Sequence, residues 1–241
     1  MRHFGLIGRE LGHSFSAKFF NAKFKSEEID ADYQLFEIES IIKLGELLGR
    51  NPLDGFNVTI PYKESIVPYL DDLSDVAREI GAVNCVEVRD GKLIGHNTDI
   101  TGIEASLHWL EAEEGCKALV LGTGGASKAV QYVLREGGAE VKVVSRTEGA
   151  AELTYNDLSE ELIADTDIIV NTTPLGMFPN TDSAPALPYS ALSAKHTLFD
   201  CVYNPRLTKF LQLGAERGAH TIDGLTMFYA QAEASWAIWN H

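Results

Sequence analysis

The stretch GFNVTIPYKE, residues 55–64, combines an apolar strand pattern with three polar groups of different chemistry. Asn57 and Thr59 alternate with apolar residues, which is typical of a strand with two distinct faces. Pro61 ends the pattern because proline cannot continue a hydrogen-bonded ladder, and Lys63 follows two residues later. An amide, a hydroxyl and an ammonium thus meet at one strand end, where they could bind and protonate a small molecule. A solvated surface lysine is the alternative.

A glycine-rich turn lies between a predicted strand and a predicted helix in ALVLGTGGASKAV, residues 118–130. Glycines let the backbone approach a pyrophosphate closely, and the following helix N-terminus offers free N–H groups and a positive dipole end. The pattern is GxGGA rather than GxGxxG, and a plain strand-to-helix connection is the alternative. The candidate pyrophosphate-binding residues are Gly122, Thr123, Gly124, Gly125, Ala126 and Ser127.

The next predicted strand ends about 20 residues further on, where a dinucleotide-binding fold distinguishes its two cofactors. An acidic residue there would bind the 2′-hydroxyl of NAD, but this chain has Ser145, Arg146 and Thr147. An arginine with two hydroxyls suits the 2′-phosphate of NADP. The alternative is an arginine that is only solvated at a strand end.

Short apolar strands alternate with amphipathic helices along the chain, which predicts an α/β fold with parallel sheets covered by helices. Asp90-Gly91 has the chemistry of a hairpin turn, and a domain boundary is expected near 97–101. The predicted strands are 3–8, 32–37, 54–60, 82–89, 117–121, 140–144, 167–171 and 197–201, and the predicted helices lie near 15–26, 39–48, 74–80, 99–112, 125–137 and 206–217.

Composition narrows the class of partner. The 241 residues carry a net charge of −15, which argues against nucleic acid or an anionic membrane as the main partner. The seven histidines and three cysteines show no metal-ligand spacing, so no metal is expected, and the cysteines are expected to be reduced in the cytoplasm. No apolar run approaches the 18 or so residues that a membrane span needs.

Several motifs occur together and in order over nearly the whole chain. They are LIGRELGHSFSAKFFNAKF, GFNVTIPYKE, IGAVNCV, GHNTDITG, LGTGGASKA, NTTPLGM, FDCVYNPRLTKFL and DGLTMFYAQAEASW. The chain thereby resembles the shikimate dehydrogenases, which reduce 3-dehydroshikimate with NADPH. The resemblance implies two domains with the active site in the cleft between them. An N-terminal α/β substrate domain spans 1–98 and is completed by a C-terminal helix at 225–241, and a Rossmann-like NADP-binding domain spans 99–224.

The resemblance also implies roles for individual residues. Lys63 becomes the catalytic acid/base and Asp99 its partner, both in contact with the substrate. Ser14 and Ser16 bind the substrate carboxylate, although Ser14 and Asp99 could also be ordinary helix caps. The remaining implied substrate contacts are Thr59, Asn84, Tyr203 and Gln231, and the further cofactor contacts are Asp75, Thr172, Cys201 and Gly224. Asn57 is expected to be a structural amide.

The chain departs from the family pattern beside Arg146. Ser145 replaces the common asparagine, and Glu148 and two alanines stand where a second basic residue is often found. The preference for NADP is therefore expected to be weak. Two other interpretations remain open: a quinate/shikimate dehydrogenase that uses NAD, and a catalytically silent dinucleotide-binding protein. A monomer or a homodimer is expected.

Overall fold

The structure is a computed structural model that describes residues 1–12, 14–107 and 115–240. Its contacts divide the chain into two compact units. The first unit comprises Met1–Thr98 and Ala232–His241, and the second comprises Asp99–Gln231. Each unit contains one six-stranded sheet and its own apolar core.

The first unit contains strands of a mixed sheet and helices that pack on it. The strands are β1 (Arg2–Gly8), β2 (Ala31–Glu37), β3 (Gly55–Val58), β4 (Asp72–Leu73), β5 (Cys85–Arg89) and β6 (Lys92–His96), and the helices are α1 (Ser16–Ser26), α2 (Leu44–Arg50) and α3 (Asp75–Ile80).

The second unit begins with α4 (Asp99–Leu107), and the predicted continuation of this helix to residue 112 lies outside the described residues. Its strands are β7 (Lys117–Leu121), β8 (Glu140–Ser145), β9 (Leu153–Thr154), β10 (Ile168–Asn171), β11 (Thr197–Asp200) and β12 (His220–Ile222), and its other helices are α5 (Gly125–Glu136), α6 (Glu160–Ala164) and α7 (Lys209–Ala215). The last helix, α8 (Leu225–Trp239), starts in the second unit and enters the first at Ala232.

The first sheet has the strand order β2-β1-β3-β5-β6-β4. β1 pairs in parallel with β2 and β3, whereas β5 is antiparallel to both β3 and β6. Asp90 and Gly91 both have positive φ, at 51° and 75°, as the two central residues of a tight hairpin turn require. The predicted hairpin at Asp90-Gly91 is therefore present, and it makes the sheet of this unit mixed, with β5 antiparallel to its two neighbours.

Aromatic side chains fill one core of the first unit. The ring of Phe4 stacks on Trp239 with centroids 4.9 Å apart and meets Trp236 edge-on at 5.7 Å. The indole N–H of Trp239 donates to the Val86 carbonyl (2.9 Å). The C-terminal half of α8 is thus a core element of the first unit.

The second sheet is entirely parallel, in the order β12-β11-β10-β7-β8-β9. Its central strands are almost fully buried, which explains their continuous apolar runs. The chain leaves β7 in one direction for β8 and β9 and then returns to build β10, β11 and β12 on the other side. This order, with its switch point between β7 and β10, is that of dinucleotide-binding sheets, and the predicted α/β class with a Rossmann-like unit is confirmed. Within the described ranges, no helix is long and apolar enough to cross a membrane.

Candidate active site

Lys63 is held by backbone hydrogen bonds at the end of β3. The N–H of Thr59 donates to the Ile7 carbonyl (2.9 Å), and the Thr59 carbonyl accepts from the N–H of Tyr62 (2.8 Å). The Lys63 carbonyl accepts from the N–H of Val83 (2.7 Å). The half-buried lysine therefore follows a turn that is fixed at both ends.

A buried polar cluster orients the amide of Asn84, which is 3% exposed. Its Oδ1 accepts from the backbone N–H of Thr98 (2.6 Å) and its Nδ2 donates to Thr98 Oγ1 (2.9 Å). Because a backbone N–H can only donate, the amide orientation is determined. Thr98 Oγ1 lies 3.1 Å from Ser235 Oγ, which also accepts from the amide of Asn57 (2.9 Å). Asn57 therefore has the structural role that the sequence predicted.

Asp99 is the first residue of α4 and is 3% exposed. It directly follows Thr98, whose backbone N–H is bound by Asn84. Asp99 thus lies just inside the helix rather than at the cap position. The helix dipole favours a carboxylate in this first turn.

The hydroxyls of Ser14 and Ser16 lie together where α1 begins. Ser14 Oγ donates to Ser16 Oγ (3.2 Å) and accepts from the Ser16 N–H (3.2 Å). The cap residue itself is Phe15, whose side chain makes no cap hydrogen bond. Ser14 is therefore not an ordinary side-chain cap, which would bind the N–H of the second or third helical residue. The arrangement presents two hydroxyls and a helix N-terminus, a combination that suits an anion.

The glycine-rich loop after β7 packs tightly at Gly122 and is open to solvent at Gly124. Gly122 has φ of +114°, and a Cβ atom there would lie 2.7 Å from Thr172 Oγ1. The buried hydroxyl of Ser127 donates to the Gly122 carbonyl (2.6 Å). A Cβ atom on Gly124 would meet no atom within 4 Å, and α5 begins at Gly125. The open backbone at a helix N-terminus fits a bound pyrophosphate.

The ends of β8 and β10 flank this loop. Ser145 is buried, and its Oγ accepts from the N–H of Thr147 (2.9 Å), so it shapes the turn after β8. Arg146 between them is exposed. After β10, the Thr172 hydroxyl donates to the Leu121 carbonyl (2.6 Å) and supports the loop from its other side.

Asp200, at the end of β11, was not identified from the sequence. Its fully buried carboxylate accepts hydrogen bonds from the Asn171 amide (3.0 Å), the Val202 N–H (3.0 Å) and the Thr208 hydroxyl (2.6 Å). Burial raises the pKa of Asp200 to about 7, although the three donors oppose the shift. Both Asp200 and Asn171 stand in quoted motifs, FDCVYNP and NTTPLGM, and this was the available signal.

The start of α8 approaches the loop after β11. A Cβ atom on Gly224 would lie 2.5 Å from the Cys201 carbonyl oxygen, so only glycine fits there. The ring of Tyr203 lies 4.7 Å from that of Phe228, and Gln231 Nε2 donates to the Phe228 carbonyl (2.9 Å). Two of the predicted substrate contacts of this unit, Tyr203 and Gln231, therefore both approach Phe228 of α8.

The structure distributes the predicted residues over the two units. Asp75 is exposed, opens α3 and belongs to the first unit, whereas the other predicted cofactor contacts belong to the second. In the part of the chain that the structure describes, no group of three histidine, cysteine or acidic side chains could hold a metal ion. Ser14, Ser16, Thr59, Lys63 and Asn84 lie in the first unit, and Asp99, Tyr203 and Gln231 in the second.

Comparisons with known proteins identify the family. Residues 6–86 match the model of the shikimate dehydrogenase substrate binding domain. The NADP(+)-dependent shikimate dehydrogenase of Clostridium beijerinckii is 40% identical, over 99% of this chain and 92% of that protein. The crystal structure of shikimate dehydrogenase 1 from Peptoclostridium difficile is 38% identical with a TM-score of 0.87, covering 99% of this chain and 91% of that one. A Thermus thermophilus shikimate 5-dehydrogenase in complex with NADP(H) and shikimate is 30% identical with a TM-score of 0.87. The match covers 100% of this chain and 94% of that one. The motif-based prediction is confirmed, and the chain belongs to the shikimate dehydrogenase family.

Proposed function

We propose that this chain is an oxidoreductase that catalyses the reversible, NADPH-dependent reduction of 3-dehydroshikimate to shikimate, a step towards chorismate and the aromatic amino acids. The observation that carries the proposal is the similarity to an NADP(+)-dependent shikimate dehydrogenase over 99% of the chain. Lys63 at a fixed strand end and buried Asp99 at a helix start support it.

Lys63 acts as the general acid in this reaction. Bound NADPH supplies the hydride that reduces the ring ketone. The Lys63 ammonium stabilises the charge that develops on the carbonyl oxygen and donates the proton that completes the hydroxyl. In the reverse direction the neutral amine removes that proton. Asp99 favours the ammonium form of Lys63 and orients it.

The hydroxyls of Ser14 and Ser16 bind the substrate carboxylate, which their convergence at the start of α1 supports. The ring hydroxyls are bound by Thr59, Asn84, Tyr203 and Gln231, together with Lys63 and Asp99. The fixed orientation of the Asn84 amide supports its part in this set.

NADP is held mainly by the second unit in this proposal. The pyrophosphate lies on the open backbone around Gly124, and Arg146 binds the 2′-phosphate. The other proposed contacts are Asp75 from the first unit and, from the second, Gly122, Thr123, Gly125, Ala126, Ser127, Ser145, Thr147, Thr172, Cys201 and Gly224. The functional domains are 1–98 with 225–241 for substrate and 99–224 for cofactor. We further propose a cytoplasmic enzyme that works as a monomer or homodimer.

A kinetic assay of Lys63→Ala and Asp99→Asn tests the proposal. Formation of reduced nicotinamide is followed with shikimate or quinate and with NADP or NAD. We expect the wild type to favour shikimate with NADP. Lys63→Ala should lower kcat by roughly 10²–10⁴ and change shikimate binding far less, and Asp99→Asn should also lower kcat.

The double variant should be little slower than the slower single variant, because the two residues act as one unit. Lys25→Ala removes an exposed lysine from α1 and serves as the control, with wild-type kinetics expected. Full activity in Lys63→Ala would refute the mechanism. A preference for quinate with NAD would assign a different activity.

A further inference from the structure

The strand order of the second sheet gives a bound dinucleotide a direction. The glycine-rich loop follows the central strand β7, with β8 on one side and β10 and β11 on the other. A pyrophosphate on the β7 loop and a 2′-phosphate near Arg146, after β8, fix the adenosine half of the cofactor. The nicotinamide half must then extend to the other side of β7, across the carboxyl ends of β10 and β11. Neighbouring strands lie only about 5 Å apart, so half of a dinucleotide is long enough to reach over them.

Asp200 connects the loops that follow these two strands. Its carboxylate binds Asn171 at the end of β10, the N–H of Val202 after β11, and the hydroxyl of Thr208, which precedes α7. Asn171 in turn accepts from the N–H (3.0 Å) and hydroxyl (2.7 Å) of Thr173. One buried carboxylate thereby fixes both loops and the start of a helix.

Retaining this carboxylate has a free-energy cost. Burying an acid is unfavourable unless it is well hydrogen-bonded, and burial raises the pKa of Asp200 to about 7. The charge of Asp200 acts on Tyr189, and burial, the larger cause, raises the pKa of this phenol, so Tyr189 stays neutral near pH 7. An apolar residue at position 200 would avoid this cost. A role in the site would explain why the chain has a carboxylate there.

We propose that Asp200 is a positioning residue for hydride transfer, which holds the loops after β10 and β11 in the shape that receives the nicotinamide ring. The inference rests on the proposed function. Asp200 acts through Asn171 and the Val202 backbone.

Asp200→Ala and Asp200→Asn separate this role from simple stabilisation. Asparagine keeps an acceptor for Asn171 and Val202 and offers an N–H to the Thr208 oxygen, so it preserves the network, whereas alanine removes it. Two ligands are compared by calorimetry: NADP itself, and 2′-phospho-ADP-ribose, which is NADP without the nicotinamide ring. The fragment keeps the groups proposed to bind the β7 loop and Arg146 but lacks the ring that the loops after β10 and β11 would receive.

We expect Asp200→Ala to lower kcat by about 10²-fold, the effect of a misplacement near 1 Å. The Kd for NADP should rise severalfold while the Kd for the fragment stays unchanged. Asp200→Asn should restore most of both losses. Asp165→Ala, which removes an exposed carboxylate of the same unit, should behave as the wild type.

Equal weakening of both ligands, or unchanged kcat in Asp200→Ala, would overturn the inference while the proposed function stands. If Asp200→Ala does not fold, Thr208→Val decides in the same way, because it removes the donor to Asp200 together with the cap of α7 and nearly keeps the side-chain volume. A wild type that binds neither ligand would instead refute the proposed function, and the inference with it.

Discussion

At the scale of single residues, cofactor choice depends on the charge beside the ribose. Arg146 is exposed at the end of β8, and the acidic Glu148 stands two residues later. Ser145 and Thr147 hydrogen-bond to each other, so they shape the turn that presents the arginine. The guanidinium is therefore the group expected to distinguish NADP from NAD.

Replacing Arg146 with alanine should raise the Michaelis constant for NADP about ten- to a hundredfold and leave that for NAD nearly unchanged. A charge-assisted phosphate contact contributes roughly 1.5–3 kcal/mol. Steady-state kinetics with both cofactors measure the effect. Arg135→Ala removes the same charge from the far end of α5 and should change neither constant. Equal losses with both cofactors would remove Arg146 from the 2′-phosphate site.

Local motifs indicated candidate site residues only where the polar groups are close together in sequence. The glycine-rich loop and Arg146 each follow a strand, so spacing alone indicated a cofactor site. Asp200 could not be found in this way, because its partner Asn171 is 29 residues away and the two meet only when β10 pairs with β11. Thr98 was not identified from the sequence as a supporting residue, because its hydroxyl accepts a hydrogen bond from Asn84, another residue of the candidate site.

At the scale of elements, two glycines in the turn between β7 and α5 are needed for different reasons. Gly122 needs a positive φ and a close approach to Thr172, whereas Gly124 faces open space. The first requirement comes from the fold, and the second is the one that a bound pyrophosphate imposes.

Alanine at the two glycines should therefore have opposite consequences. Gly122→Ala should lower the free energy of unfolding by about 1–3 kcal/mol, because its backbone conformation strains any other residue. Gly124→Ala should leave that free energy within about 0.5 kcal/mol of the wild type but weaken NADP binding at least severalfold. Urea unfolding and calorimetry measure the two effects. Gly45→Ala, in α2 of the first unit and also facing open space, is the control and should not affect NADP. Normal NADP binding by Gly124→Ala would contradict the assigned loop.

The elements that the sequence predicted are those with a clear period. The long helices α1, α5 and α8 and the central strands of both sheets follow from apolar spacing. β4, β9 and β12 have two or three residues and α6 has five, too short for a periodic signal. The predicted strand over 54–60 ends at Val58, because the chain turns at Thr59–Tyr62, with Pro61 inside the turn.

At the scale of the whole molecule, α8 belongs to both units. Its first residues pack in the second, and its C-terminal half completes the aromatic core of the first. Trp239 covers Gly55 so closely that a Cβ atom there would lie 2.5 Å from the indole. The stability of the first unit therefore depends on a segment distant in sequence.

Trp239→Ala should lower the free energy of unfolding by about 3–5 kcal/mol, since it removes a buried aromatic ring and leaves a cavity. The loss of the indole hydrogen bond to Val86 adds to this. Urea unfolding followed by circular dichroism measures it without relying on tryptophan fluorescence. Tyr229→Ala removes an aromatic ring that is 47% exposed from the same helix and should change the stability by less than about 1 kcal/mol. Similar values for the two variants would contradict the core role of Trp239.

The divided first unit also determines an order of events during synthesis. Residues 1–98 leave the ribosome first, but Trp236 and Trp239 follow only after the entire second unit. At about 5–20 residues per second, this interval is on the order of ten seconds. During it, Phe4, Phe20 and Phe24 lack the tryptophan rings that they contact in the finished fold. The second unit can therefore complete its core while the chain grows, whereas the aromatic core of the first is complete only when its two tryptophans have been added.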